Sequence, residues 1–229
     1  MQMRLLVGPD GTRAPQTDAD LRELYAAPRP AWVRANMIAT LDGAATGEDG
    51  RSGSINNPVD HRVFETLRGL SDVIVVGAGT AEAEGYGPTD RPIVVVSRSG
   101  RVPGKLRGAE PGSVLLATCQ AAEGVDDMRD LLGADNVLVL GGHRVDLAQL
   151  RDRLAERGLH QVLAEGGPHL LRDLCDQGVL DELDMTMVPR LVGGTHPRVT
   201  DGPPVDVMLD LKVLLEAEHT LLGRWYVHR

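Results

Sequence analysis

The chain has 229 residues, of which 42% are hydrophobic and 25% are charged, and its formal net charge is −9. This length suits one large domain with its own core, and the negative charge argues against a nucleic-acid or anionic-membrane partner. No apolar run approaches the roughly 18 residues of a membrane span, and Cys119 and Cys175 lie far apart, outside any metal-ligand spacing. We therefore expect a cytoplasmic protein with reduced thiols and no metal.

The N-terminal part of the chain is its least regular part. Residues 1–31 are polar and interrupted by prolines, and one amphipathic stretch from Asp18 to Tyr25 predicts a helix packed on the surface. Residues Trp32–Ile38 predict a strand, and apolar residues within His61–Leu70 recur at the spacing of a helical face. We expect a single domain over 1–229, with 1–31 as an extension packed on it.

Short apolar runs then alternate with helical segments. Such runs predict strands buried on both faces of a sheet, and alternation with helices predicts an α/β three-layer sandwich with a central, mostly parallel sheet. The last three strand-like segments have no helix between them, so we expect antiparallel strands there. The predicted strands are Asp72–Val76, Pro92–Val96, Ser113–Thr118, Asn136–Leu140, Gln161–Ala164, Leu183–Val188, Lys212–Leu215 and Trp225–His228, and the predicted helices are 146–158 and Pro168–Gln177.

A first glycine turn, Gly77-Ala78-Gly79-Thr80, follows a predicted buried strand and precedes a segment that can start a helix. Glycines let a backbone approach a ligand closely, and free N–H groups at a helix start attract phosphate. Glu82 stands where the Rossmann fingerprint has its third glycine. Alone, this turn fits a phosphate site and an ordinary tight turn equally well.

A second glycine turn, Glu165-Gly166-Gly167-Pro168, also ends a predicted strand and opens a helix, where it can cradle a pyrophosphate. Glu165 then either faces a substrate beside the cofactor or caps the helix. Two turns of one type at the ends of parallel strands favour a functional role.

A polar turn indicates which cofactor is bound. Ser97-Arg98-Ser99-Gly100-Arg101 follows the strand that ends at Val96, where NAD sites carry an acidic residue. Hydroxyl and guanidinium groups suit a 2′-phosphate instead, because arginine binds phosphate bidentately. A solvated turn is the alternative, but the composition favours NADPH over NADH.

Several motifs occur in a fixed order between about Trp32 and Gly194: 39–43, 67–68, 71–80, 165–170, 179–183 and 189–193. Over this stretch the chain resembles the reductase domain of the riboflavin-biosynthesis deaminase/reductase, a family with a dihydrofolate-reductase-like fold. The resemblance implies a homodimer that transfers a hydride from NADPH to the sugar carbon of a phosphorylated ribosylamino-pyrimidine, opening the ribose to a ribityl chain. The His-x-Glu and Cys-x-x-Cys of the zinc deaminase are missing, so we expect a stand-alone reductase.

The resemblance also implies roles for individual residues. Glu165 and Glu84 are the expected catalytic residues. The expected substrate contacts are Asn36, Ser52, Ser54, Arg68 and Arg91, and the expected cofactor contacts are Ala39, Gly77, Gly79, Thr80, Ser97, Arg98, Gly166, Gly167, His169 and Leu170.

Some positions depart from the family. Asn36 stands where lysine is common, Ser54 where an aromatic residue is common, and residues 84–87 lack the family's Asn-Pro although Glu84 keeps a carboxylate. Two alternatives therefore stay open: a reductase of a dihydropterin or dihydrofolate, and a non-catalytic NADPH-binding protein. Outside the motifs, we interpret Asp42 as a turn residue and Glu182 as a capping or solvent-facing residue.

Overall fold

The computed structural model of the protein describes residues 2–9, 11 and 13–228. Its centre is one sheet, built from ten strands in these residues: β1 (Arg4–Val7), β2 (Trp32–Thr40), β3 (Val73–Gly77), β4 (Ile93–Val96), β5 (Val114–Thr118), β6 (Val137–Val139), β7 (Gln161–Ala164), β8 (Glu182–Val188), β9 (Leu209–Ala217) and β10 (Thr220–Val227). The strand order is β1-β9-β10-β8-β2-β7-β3-β4-β5-β6. Strands β2 to β8 pair in parallel, whereas every pairing of β1, β9 and β10 is antiparallel.

Helices cover both faces of the sheet: α1 (Asp18–Leu24), α2 (Pro58–Gly69), α3 (Ala78–Glu84), α4 (Val125–Leu132), α5 (Leu147–Ala155) and α6 (Pro168–Asp176). Apolar residues of α5 and α6 pack on one face, and those of the other four helices pack on the opposite face. The predicted three-layer α/β sandwich with a mostly parallel sheet is thereby confirmed.

Strand β3 shows why the sheet is buried on both sides. Val73 and Val75 belong to the core under α5 and α6, whereas Ile74 and Val76 belong to the core on the other face. Successive side chains of a strand point to opposite faces, so a continuous apolar run supplies both cores at once.

Most predicted elements exist within a few residues of their expected ends, including the antiparallel C-terminal strands. The sequence interpretation missed β1 and α4. Strand β1 makes the N-terminal segment part of the sheet, at its edge beside β9, rather than only a surface extension.

The rest of the N-terminal segment is anchored through α1. Thr17 and Asp20 form a capping box at its start, which satisfies two backbone N–H groups reciprocally. Leu21 is fully buried against α2, and the guanidinium of Arg224 donates to the carbonyls of Leu24 and Ala26. Helix α1 thus supports α2.

A buried polar strip crosses β2, β8 and β10, and here the expectation that Glu182 is solvent-facing is wrong. Glu182 is fully buried, and its Oε2 accepts hydrogen bonds from Trp32 Nε1 at 2.6 Å and Arg224 Nη2 at 2.9 Å. Oε1 of Glu182 forms an ion pair with Arg34 Nη1 at 3.5 Å. This oxygen and both carboxyl oxygens of Asp184 are buried without a hydrogen bond among the described residues. Burial, and then the charge of Glu182, raise the pKa of Asp184 well above its ordinary value, which favours the neutral form that can donate to Glu182.

Candidate active site

Three adjoining cavities form one cleft at the carboxyl ends of β3 and β7. The acidic cavity, of about 400 Å³, is walled by Asp60, Glu84, Tyr86 and Glu165. The glycine cavity, of about 540 Å³, is walled by both glycine turns. A junction cavity of about 280 Å³ shares Asn36, Ser52, Glu84 and Glu165 with the first and Gly79, Thr80, Gly167, Pro168 and His169 with the second.

Glu165 stands at the boundary between the acidic and junction cavities. Its side chain is buried, and it accepts hydrogen bonds from Arg68 Nε to Oε1 at 2.6 Å and from Arg68 Nη2 to Oε2 at 2.7 Å. The hydroxyl of Tyr86 donates to Oε2 at 2.8 Å. The alternative that Glu165 caps α6 is therefore wrong, because its carboxylate is bound to α2 and to the loop after α3.

Tyr86 is a site residue that the sequence interpretation missed. Helix α3 ends at Gly85, whose φ of 72° is in the left-handed region, and the next residue turns into the acidic cavity. Burial and then the charge of Glu165 raise the pKa of Tyr86 well above its ordinary value, so its hydroxyl stays a donor. The only signal in the sequence was the isolated aromatic in Gly85-Tyr86-Gly87.

Glu84, the other expected catalytic residue, also lies in this wall. Its Oε1 accepts a hydrogen bond from the backbone N–H of Ser52 at 2.7 Å. This contact joins the end of α3 to the loop between β2 and α2, and it closes the cleft on that side. Among the described residues that line the acidic cavity, Arg68 is the one cation, and it is paired with Glu165. The cavity therefore carries an excess of negative charge.

The two glycine turns touch each other. The backbone N–H of Gly77 donates to the carbonyl of Gly166 at 3.1 Å. A Cβ at position 167 would collide with Oγ1 of Thr80, so glycine is required for this approach. Gly79 instead faces open space inside the cleft, where a ligand backbone or phosphate has room.

Arg98 lines the glycine cavity, and its guanidinium makes no hydrogen bond or ion pair with the rest of the described chain. Ser97 is different: it is buried, and its hydroxyl accepts from the backbone N–H of Arg101 at 3.2 Å. The turn thus presents one uncommitted cation to the cavity.

A long connection between β8 and β9 forms the outer wall of the cleft. The carboxylate of Asp42 accepts hydrogen bonds from the backbone N–H groups of Val192 and Gly193, and Nδ1 of His169 lies 2.9 Å from the carbonyl oxygen of Asp201. Hydrogen bonds from the Thr40 hydroxyl and then the Gly193 N–H lower the pKa of Asp42. The turn expected at Asp42 therefore also fixes this wall.

The structure brings most of the expected site residues into the cleft. Those that line it are Asn36, Ser52, Arg68, Gly77, Gly79, Thr80, Glu84, Arg98, Glu165, Gly166, Gly167, His169 and Leu170. Ala39, Ser54, Arg91 and Ser97 are not among the residues that line the three cavities. Nε of Arg91 is buried without a hydrogen-bond partner among the described residues, next to Thr89 in the cavity wall.

The described residues hold neither a metal-binding cluster nor a membrane-spanning helix. No group of three His, Cys, Asp or Glu side chains is arranged to hold a metal ion. None of the helices in 2–9, 11 and 13–228 has the length and apolar character needed to cross a membrane.

Comparison with known proteins places this architecture in a family. The model of the RibD C-terminal domain matches residues 31–222. The 2,5-diamino-6-ribosylamino-4(3H)-pyrimidinone 5′-phosphate reductase of Methanothermobacter thermautotrophicus is 30% identical over 202 residues, which are 83% of this chain and 93% of the relative. The reductase of the same name from Archaeoglobus fulgidus is 30% identical over 190 residues, covering 75% of this chain and 86% of the relative.

A solved structure of a reductase-like protein has the same fold. A pyrimidine reductase-like protein from Corynebacterium diphtheriae superposes with a TM-score of 0.78 at 25% identity, covering 91% of this chain and 98% of that one. The expected resemblance and its dihydrofolate-reductase-like fold are confirmed. The chain belongs to the RibD C-terminal domain family of riboflavin-pathway reductases.

Proposed function

We propose that this protein is an NADPH-dependent reductase of a phosphorylated ribosylamino-pyrimidine in the riboflavin pathway. The observation that carries this function is the cleft itself. The junction cavity, which Glu165 borders, joins a cavity walled by glycine turns to a cavity walled by carboxyl groups, so a cofactor and a substrate can lie face to face. Holding two reactants in this way is the main contribution of a protein to hydride transfer.

The glycine cavity fits NADPH. Gly79 leaves open space at the wall, and the backbone N–H groups of such turns can bind a pyrophosphate. Arg98 brings a guanidinium that has no partner among the described residues, which suits the 2′-phosphate. When bound, the dihydronicotinamide would supply a hydride to the substrate carbon.

The acidic cavity fits the sugar and ring of the substrate. The Glu165 carboxylate has about four acceptor sites, and hydrogen bonds from Arg68 and Tyr86 occupy three of them. The remaining site, on Oε1, can accept a hydrogen bond from a substrate hydroxyl or N–H. Its fixed negative charge also stabilises the positive charge that develops on the sugar carbon as the ring C–O bond breaks. Because Arg68 is paired, we assign the phosphate anchor to Arg91. It lies two residues after Thr89 of the acidic-cavity wall, and its Nε has no hydrogen-bond partner among the described residues.

Turnover tests this function directly. Purified protein would be mixed with NADPH and 2,5-diamino-6-ribosylamino-4(3H)-pyrimidinone 5′-phosphate, with loss of dihydronicotinamide absorbance and product mass as readouts. The substrate without its phosphate is the matched control, and we expect it to bind more weakly. No turnover of the phosphorylated pyrimidine overturns the function. Turnover of dihydrofolate or a dihydropterin instead would support the first alternative, and saturable NADPH binding without any turnover would support the second.

A further inference from the structure

Three carboxyl side chains line the acidic cavity, and their hydrogen bonds differ. Glu165 accepts three hydrogen bonds and Glu84 accepts one from a backbone N–H. These donors compensate both carboxylates for the water that they lose on burial. Asp60 is only 3% exposed, and its Oδ1 is buried without a hydrogen-bond partner among the described residues.

The local structure explains why the N-terminal N–H groups of α2 do not bind the Asp60 carboxyl. It lies in the first turn of α2, but the side chain of Asn57 already accepts the free N–H groups of Val59 and Asp60. The Asp60 carboxyl is therefore not a helix cap, and it lies in the wall of the acidic cavity. Ionising a carboxyl with a buried, unpaired oxygen is costly, whereas the neutral acid loses much less on burial.

The groups packed against Asp60 do not reverse this preference. Strand β8 contributes the hydroxyl of Thr186, and α2 itself contributes His61. Burial raises the pKa of Asp60, and the hydrogen bond of Thr186 and the charge of His61 offset only part of the rise. The phenol of Tyr86, also in the wall, is already donating to Glu165.

We propose, on the basis of the proposed function, that Asp60 is the acid that protonates the substrate during reduction. The bond between the sugar carbon and the ring oxygen breaks, and its electron pair stays on the oxygen, which takes the proton of the Asp60 carboxyl. The carbon is reduced by a hydride from the dihydronicotinamide, which is oxidised. The Asp60 carboxylate then regains a proton from solvent.

Single-turnover rates of Asp60→Asn test this role, because the amide has the same shape but cannot release a proton. We expect a rate about 10²- to 10⁴-fold lower, with KM and NADPH affinity unchanged and partial recovery in Asp60→Glu. The exposed Asp90→Asn is the matched control and should keep the wild-type rate. Unchanged NADPH affinity shows that the variant is folded.

The pH profile separates an acid from a structural residue. The wild-type rate should be highest below the pKa of Asp60 and fall as pH rises through it, and this limb should vanish in Asp60→Asn. Thr186→Val removes a hydrogen bond that lowers the pKa of Asp60, so the limb should move to higher pH. Infrared difference spectra of wild type minus Asp60→Asn should show a protonated carboxyl band without any substrate.

The possible failures are distinguishable. An active wild type with a full-speed Asp60→Asn, an unmoved limb or a carboxylate band overturns the role of Asp60 alone. A wild type that reduces no ribosylamino-pyrimidine overturns the proposed function, and the proton donor with it.

Discussion

Glu165 connects three separate elements through its carboxylate: β7, which ends just before it, Arg68 on α2, and Tyr86 after α3. The side chain of Arg68 is 24% exposed and that of Glu165 is 1% exposed, so solvent reaches the guanidinium but not the carboxylate. Its bidentate geometry fixes the orientation of the carboxylate as well as its charge.

Glu165→Gln should lower both activity and stability. The amide cannot accept two hydrogen bonds from the guanidinium, and the charge of Arg68 is left without its partner. We expect kcat/KM to fall by about 10²-fold or more, and the free energy of unfolding to fall by about 1–3 kcal/mol, less than for a fully buried pair because Arg68 is partly exposed. Denaturant titration and steady-state kinetics measure the two effects.

Glu82→Gln on the exposed face of α3 is the matched control for that change, and it should alter neither quantity. Wild-type kinetics in Glu165→Gln would contradict a catalytic role for this carboxylate.

Among single residues, the sequence predicted cleft positions that follow shortly after a strand, because local chain geometry places them. Glu165 after β7 and Arg98 after β4 are examples. Tyr86 could not be found in this way, since its role depends on the side chain of a residue 79 positions away. Ser97 shows the opposite failure: its turn is at the expected place, but its hydroxyl is used within the turn.

Among the elements, those with long apolar patterns were predictable and the others were not. Strands β3 and β7 and helices α5 and α6 bury several apolar residues each. Strand β1 has four residues without alternating burial and exists because β9 pairs with it. Helix α4 has eight residues and Met128 is its only buried one, so little of its sequence indicated a core-facing side.

Leu21→Ala tests whether α1 supports the site-bearing helix α2. Leu21 is 0% exposed and packs with the α2 residues Val63 and Leu67. Removal of its side chain should lower the free energy of unfolding by about 2–5 kcal/mol, through lost apolar burial and the cavity left behind. The half-exposed Leu131→Ala on α4 should cost less than about 1 kcal/mol. Urea titration compares the two, and equal losses would contradict the packing described for α1.

The polar strip across β2, β8 and β10 predicts a pH dependence. Because the folded-state pKa of Asp184 is raised, its stabilising contribution is complete below the ordinary value of 3.8 and is lost as pH rises through the folded value. In Asp184→Asn, the side-chain amide can donate to Glu182 at any pH, because its N–H does not titrate. We therefore expect its unfolding free energy to decline less than that of wild type between about pH 5 and about pH 8.

Denaturant titrations at both pH values measure this difference, with the exposed Asp90→Asn as the control that should follow wild type. An equal decline in Asp184→Asn and wild type would show that Asp184 is ionised in the folded protein.

For the whole molecule, the sheet order explains where the cleft forms. Strands β3 and β7 are neighbours although 83 residues lie between the end of β3 and the start of β7. Their carboxyl ends bring both glycine turns together. Ligands of parallel sheets bind at such an edge. The homodimer implied by the resemblance stays a prediction, which light scattering after size-exclusion chromatography would check.

NADPH should stabilise the folded protein as a whole. A ligand at about 100 times its Kd adds about 2.7 kcal/mol, which raises Tm by about 5–10 °C for a chain of this size. In Arg98→Ala we expect NADPH to bind about 10- to 100-fold more weakly, because a charge-assisted contact is lost, while NADH binding is unchanged. Arg101→Ala, in the same turn but outside the cavity wall, is the control. Equal loss of NADH and NADPH binding would contradict a contact between Arg98 and the 2′-phosphate.

The contact between Gly167 and Thr80 makes two distant positions depend on each other. A side chain at 167 has no room while Thr80 keeps its hydroxyl, but Cβ of Thr80 lies at an ordinary 3.5 Å from the added atom. Gly167→Ala should therefore be damaging alone and tolerated with Thr80→Ala. Such epistasis would make the two glycine turns evolve as one unit, with a change in either turn permitted only by the residue that the other already carries.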